Sequence, residues 1–256
     1  MLKTWQAALL GLVHGPAELL PVSSSAHTQL LPQLLGWTYP ELPDDSRKTF
    51  EVALHAGTLI GLLTVVPLPK LHTALLATAP AAAAGLLAER RIEERLGSPR
   101  GTAFGLIAGS LVLLASDRLA PEPATTAPWQ PTDADVAWVG AAQAAALVPG
   151  LSRLGMTVSA ARLLGAGRAD AFDVGRSLGL PVIIGAVGLK AARLLRTGVP
   201  AELRAPMLAG TAAAAVSSLA ARPLARRTPV LTVAIWRIGL ATAVLRRRDL
   251  RHNGRR

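Results

Sequence analysis

Apolar residues fall along this chain in runs of about 16–20, long enough to cross a bilayer as helices. The spacing predicts such spans over residues 50–67, 71–88, 101–116, 177–195, 207–221 and 229–245. Two polar islands interrupt the pattern. The first, residues 11–27 (GLVHGPAELLPVSSSAH), lies between apolar stretches 5–13 and 28–37. The second, residues 149–157 (PGLSRLGMT), lies between 136–148 and 158–164. Each flanking stretch is too short to span. A short helix, a polar break with a proline and a second short helix describe a re-entrant hairpin, whose irregular backbone must be covered by protein or line a watery cavity. Pro21 suits such a break, because it lacks a backbone donor and disfavours helix in the residue before it.

Each half of the chain thus reads as a broken hairpin followed by three spans. Repeat one covers about residues 1–116 and repeat two about 136–245, within a single polytopic membrane domain of residues 1–256. Three is odd, so the second half enters the bilayer from the opposite side. The predicted fold is an all-α integral membrane protein: six transmembrane helices plus two re-entrant helical hairpins in an inverted-topology repeat. That architecture brings discontinuous helices and their polar site near the bilayer midplane. Both islands contain Pro-x-x-Ser, Pro21 to Ser24 and Pro149 to Ser152, at the same point of each half. Residues 89–100 read as a charged loop and 117–135 as a Pro-, Thr- and acid-rich surface loop.

Composition agrees. Hydrophobic residues make up 51% and charged ones 17%, against about a quarter charged in a soluble domain. The net charge of +11 comes from Lys and Arg at the ends of the apolar runs, where they set membrane orientation. Nucleic acid is not an expected partner, since no basic stretch is interleaved with aromatics. The bias puts the N-terminus, Arg47 and Lys48, residues 89–100 and 193–204 and the tail 246–256 on the cytoplasmic side. Residues 222–227 fall on the other side and run against it. Without cysteine there is no disulfide and no thiolate metal site. No small-residue cleavage site follows the first apolar run, so the start of the chain is expected to be retained.

The islands hold the candidate chemistry. Glu18 is a carboxylate in an apolar setting, where burial costs at least a few kcal/mol and such groups usually act; its candidate roles are metal ligand or general acid/base. Ser23, Ser24 and Ser25 follow a proline break. They suit a helix cap, a phosphate held at a helix N-terminus, or a nucleophile. His27 would neighbour Ser24 on a helix starting near Ser24, as base, nucleophile or acid. Arg153 offers a planar fork matched to phosphate oxygens. Ser152 and Thr157 are supporting donors; Glu51, His55 and Asp173 are candidates for an outer layer. Residues 11–27 and 149–157 read as two halves of one site that handles phosphate.

These residues carry a resemblance. The motifs E-x-x-P-V-S-S-x-x-H and P-G-x-S-R-x-G-x-T, with KTFEVALHAGTLIGL at 48–62 and IWRIGL at 235–240, resemble the undecaprenyl pyrophosphate phosphatases, also called the bacitracin-resistance phosphatases. The resemblance implies six spans with two re-entrant hairpins in a bacterial plasma membrane. It implies removal of the terminal phosphate of a polyprenyl pyrophosphate at a site open to the outer face, with Mg²⁺ or Ca²⁺. Its essential residues fall on Glu18, Ser24, His27 and Arg153. Three positions depart from the family pattern: His14 stands for a second acidic or amide residue, His55 for Gln and Leu154 for Ser. His14 lies one helical turn before Glu18, so the two are the candidate metal ligands, either sharing a softer ion than Mg²⁺ or coupling as acid and base. The expected partners are the lipid substrate and the bilayer, with a homodimer left open. A transporter or flippase of an anionic lipid is the alternative, because inverted repeats with broken helices are also transporter architecture.

Overall fold

The computed structural model describes residues 2–121, 127–225 and 229–247, and among them there is helix and connection but no strand. The helices are α1 (Thr4–Leu19), α2 (Ser24–Leu34), α3 (Asp44–Leu63), α4 (Leu71–Leu96), α5 (Pro99–Leu119), α6 (Asp133–Ala145), α7 (Arg153–Leu163), α8 (Arg168–Thr197), α9 (Ala201–Ala220), α10 (Arg222–Ala225) and α11 (Val230–Arg246). Among the described residues three of them, α4, α5 and α8, are long and apolar enough to cross a membrane. The chain is a helical membrane protein.

Three expectations shift. The first island is mostly helix: α1 runs through it to Leu19, and only residues 20–23 are broken. The charged stretch after 88 is not a loop. It extends α4 to Leu96, because its charges sit at helical spacing, Arg90 on Glu94 at 2.8 Å, an arrangement that supports a helix. Lys48 of α3 reaches Glu93 at 2.7 Å and ties the two helices together. The acidic end of the loop 117–135 is a helix start, where Thr132 and Asp135 cap α6 reciprocally. Residues 122–126 of that loop, 226 and 227 of the basic cluster 222–227, and 248–256 of the tail lie outside the described residues.

Small residues set how closely the helices approach. Gly11 of α1 faces the backbone of α9, where a Cβ would collide with the Gly210 carbonyl. The contact is closed by Ser217, whose hydroxyl donates to the Gly11 carbonyl at 3.1 Å. This is packing of small residues with a polar bond between helices, as membrane helices use it. α6 meets α4 in the same way through Gly140 and Ala77. Around these contacts lie apolar clusters. One (Leu2, Ala7, Leu10, Tyr39, Phe50, Leu54, Ala214) fixes the start of α1 against α3 and α9. Another (Leu113, Val139, Leu154, Val158, Leu178, Val233 among others) surrounds α7.

Candidate active site

The site is built where two helices stop and restart. α1 ends at Leu19, and α2 begins at Ser24 after Ser23 has taken a positive φ of 70°. α6 ends at Ala145, and α7 begins at Arg153 after Ser152 has taken a φ of 67°. Among the described residues these two serines are the non-glycine residues at positive φ. Each precedes an eleven-residue helix. Such a conformation costs about 1–3 kcal/mol and persists where the surroundings enforce it. The backbone therefore pairs Ser23 with Ser152, not Ser24 with Ser152 as the Pro-x-x-Ser spacing suggests. The second break holds one more residue after its proline, and Gly150, at φ 94°, absorbs it.

With this register, Ser24 and Arg153 are each the first residue of a short helix, and both donate to Glu18. The Ser24 hydroxyl bonds Glu18 Oε1. Arg153 Nη2 bonds Oε2 at 3.0 Å, and its Nη1 is anchored on the Gly179 carbonyl of α8 at 2.9 Å. Glu18 is 8% exposed. A carboxylate this buried needs such partners. Glu18, Ser23, Ser24 and Ser25 from the first break and Ser152, Arg153 and Leu154 from the second line one cavity of about 200 Å³, closed by His55 of α3 and by Val182, Ile183 and Ala186 of α8. Two helix N-termini thus meet at a single cavity. α7 is capped by Ser152, which accepts from Gly155 N at 3.2 Å, while α2 has no side-chain cap. Free N–H groups and the positive ends of two helix dipoles make the cavity receptive to an anion.

Two imidazoles stand behind Glu18. His14 Nε2 is 3.9 Å and His55 Nδ1 3.4 Å from Oε1, and the two nitrogens are 3.4 Å apart. The tautomer of His14 follows from its neighbours. Thr28 spends its proton on the Ser24 carbonyl at 3.1 Å, so it accepts from His14 Nδ1 at 3.2 Å. His14 Nε2 is left with a lone pair facing the cluster. His14, Glu18 and His55 form a group whose ligand atoms are close enough to hold one ion.

Not every residue expected here arrives. His27 does not line the cavity. Its Nδ1 donates to the Ser23 carbonyl at 2.7 Å, its Nε2 accepts from the Trp236 indole at 2.7 Å, and the two rings are nearly parallel with centroids 6.0 Å apart. Both nitrogens are engaged, and the ring borders an apolar groove instead. Thr157 is fully buried and turns its hydroxyl back to the Arg153 and Leu154 carbonyls, at 3.2 and 3.0 Å. Glu51 is bound to Tyr39 at 3.2 Å and Asp173 to Arg176 at 3.0 Å, both away from the cavity. Ser23 and Ser25 line it, with their hydroxyls 3.4 Å apart.

One residue was not singled out from the sequence. Arg237 of α11 is 0% exposed. Its guanidinium donates to the Pro21 carbonyl at 2.9 Å and to the Gly150 and Leu151 carbonyls at 2.8 and 3.2 Å. It thereby ties the first break to the second. Gly109 of α5 leaves it room: a Cβ there would strike Nη2. The signal was available, because Arg237 is the one charge within the apolar run 229–245, and such a charge is rarely idle.

Comparison with known proteins now bears on this arrangement. The family described as bacitracin resistance protein BacA matches residues 7–67 and 69–243. The chain belongs to this family. Among its BacA relatives, an undecaprenyl-diphosphatase of Trichlorobacter lovleyi is 40% identical over 82% of this chain and 83% of its own length. That of Geobacter sulfurreducens is also 40% identical, over 82% and 84%, and that of Thermomicrobium roseum is 34% identical over 95% and 98%. The BacA match includes both breaks, His55 and Arg237.

Proposed function

We propose that this chain is an undecaprenyl-diphosphatase, which hydrolyses undecaprenyl pyrophosphate to undecaprenyl phosphate and inorganic phosphate. By doing so it returns the lipid carrier to cell-wall synthesis and confers bacitracin resistance. One observation carries the reading: the first residues of two short helices, Ser24 and Arg153, converge with Glu18 on a cavity faced by both helix N-termini. A diphosphate entering there meets N–H groups, a guanidinium with unused donors and a hydroxyl already bonded to a carboxylate. Ser24 Oγ attacks the terminal phosphorus while Glu18 takes its proton. The bond from phosphorus to the bridging oxygen breaks, and undecaprenyl phosphate leaves. Glu18 gives that proton to the departing phosphate oxygen and is a carboxylate again; it then takes a proton from water as the water attacks the phosphoserine, and Ser24 Oγ leaves with that proton as inorganic phosphate is released. Arg153 holds the phosphoryl oxygens as charge shifts between them.

An apolar groove along α1 and α11, lined by Leu12, Pro16, Val22, Val233 and Trp236, shares Ala17 and Leu20 with the polar cavity. This continuity suits a polyprenyl tail leading to a diphosphate. The Mg²⁺ or Ca²⁺ that the family resemblance implies does not match the residues present. Both ions take oxygen donors, whereas the converging atoms are two imidazole nitrogens and one carboxylate oxygen. No step above runs through either ion.

The chain is read as multi-pass in the bacterial plasma membrane, with six spans, two re-entrant hairpins and the cavity open to the outer face. Supporting the inverted repeat are the equal lengths of α2 and α7, the positive-φ serine before each, and the matching of α1 against α9 by α6 against α4. A flippase on the same fold is not favoured by the names of the relatives. The test is phosphate release from a polyprenyl pyrophosphate by the purified chain in detergent, across divalent cations. Release is expected. Folded protein that moves labelled lipid across a vesicle and releases no phosphate would overturn the reading.

A further inference from the structure

We propose that His14, Glu18 and His55 form a site for a borderline transition-metal dication of the Zn²⁺ class, at the inner wall of the cavity. The proposal deepens the reading of that cavity as the reaction site and rests on it. Imidazole nitrogen suits Zn²⁺ and its neighbours, whereas Mg²⁺ and Ca²⁺ call for oxygen. A tetrahedral ion with bonds of about 2.0–2.1 Å sets its ligand atoms about 3.3–3.4 Å apart. The His55–Glu18 and His14–His55 separations are both 3.4 Å, and the third edge, His14–Glu18, is 3.9 Å. Small side-chain adjustments close the set.

The surroundings prepare each ligand. His14 presents a lone pair at Nε2, because Thr28, oriented by the Ser24 carbonyl, takes its Nδ1 proton as a hydrogen bond. Partners of this kind fix the ring and its tautomer in metal sites. Glu18 Oε1 faces the imidazoles and also accepts from the Ser24 hydroxyl, while Arg153 occupies Oε2, so the guanidinium lies on the far side of the carboxylate from the ion. His55 Nδ1 stands between two acceptors, Glu18 Oε1 and His14 Nε2, and so carries its proton there. A dication takes the place of that proton, and the His55 ring keeps one proton by moving it to Nε2. Glu18 and His55 line the cavity and His14 lies behind them, so the ion's remaining position faces the space where a phosphate oxygen would sit. Three protein ligands and one open position are the pattern of a catalytic zinc site, not of a closed structural one.

The experiment uses the full chain in detergent, stripped with chelator and titrated with Co²⁺ as the spectroscopic probe. One Co²⁺ per chain with visible ligand-field bands of a four-coordinate ion is expected, displaced by Zn²⁺ and not by a large excess of Mg²⁺. His55→Gln is expected to weaken Co²⁺ binding at least tenfold and to lose those bands. Its melting temperature, measured alongside, establishes that it is folded. A His55→Gln chain that is folded and binds Co²⁺ as the parent does would overturn the site, as would displacement by Mg²⁺. Phosphate release is read separately. Release without Co²⁺ or Zn²⁺ binding would refute the metal site alone. Metal binding with no release under any cation would support the site and refute the phosphatase reading.

Discussion

The break between α1 and α2 and the break between α6 and α7 share a backbone and differ in what they carry. Both end in a serine at positive φ, and both open an eleven-residue helix. The first residue of that helix is Ser24 in one and Arg153 in the other. Ten residues earlier stand His14 and Gln143. His14 joins the cluster around Glu18. Gln143 instead spends its amide on the carbonyls of Ala77 and Leu178, at 3.0 and 3.3 Å, and so braces α6 against α4 and α8. The first segment supplies the reacting groups; the second supplies a cation and its support. The difference teaches that the backbone works as a template for two anion-facing helix starts, and that side chains then divide the chemistry between them. Neither segment makes the site alone. Arg237 holds them in register through carbonyls of both.

The largest effect separates the two segments outright. Glu18→Gln keeps the shape and removes the base and the ion pair to Arg153. Phosphate release is expected to fall about 10³-fold, within the range for a lost general base. Gln143→Leu, a change in the second segment at the distance from its helix start that His14 has in the first, removes two structural hydrogen bonds and should leave release within a few-fold. Equal losses in the two variants would break the division of labour.

Arg237→Met comes next and tests the tie. It leaves the carbonyls of Pro21, Gly150 and Leu151 without their donor inside the protein. Each buried carbonyl left without a donor costs about 1–3 kcal/mol. A lower melting temperature in detergent is expected, with release lost alongside it. Wild-type stability would mean that the breaks hold themselves.

The smallest effect concerns the strained serines. Ser23 makes no side-chain cap, so Ser23→Gly should relieve its backbone and raise stability by up to about 1 kcal/mol. Ser152 caps α7, so Ser152→Ala should lower stability by about 0.5–2 kcal/mol. Melting temperatures that shift the same way in both variants would contradict the contrast drawn between the two caps.

The sequence made the site legible to different depths. Glu18, the serines and Arg153 stood out because polar and charged groups in apolar surroundings, next to a proline, have few reasons to be there. The short helices that flank them followed from the same interruptions. The spacing of His27 from Ser24 is a local cue, whereas the ring's orientation follows Trp236, which lies 209 residues away in the chain. The register between the breaks was hidden by Gly150, whose positive φ no spacing rule reveals. Charge density alone reads as loop over residues 89–100, whereas Glu and Arg at helical spacing also suit an exposed turn of helix, and α4 extends through them to Leu96. His55 had only a low claim from sequence, since its role depends on α3 packing beside α1. Arg237 was visible as an isolated charge in an apolar run, and only the fold shows what it binds.

The most direct test of a single site shared by both breaks is phosphate release by Arg153→Ala beside the parent chain, with melting temperature and substrate the same. Arg153 lies in the segment that supplies no reacting group, yet it touches Glu18 across the cavity. Release at least 100-fold below the parent, from a folded variant, is expected, as for the loss of one preorganised donor to a transition state. Release at the parent's rate would contradict a site built from the two segments together.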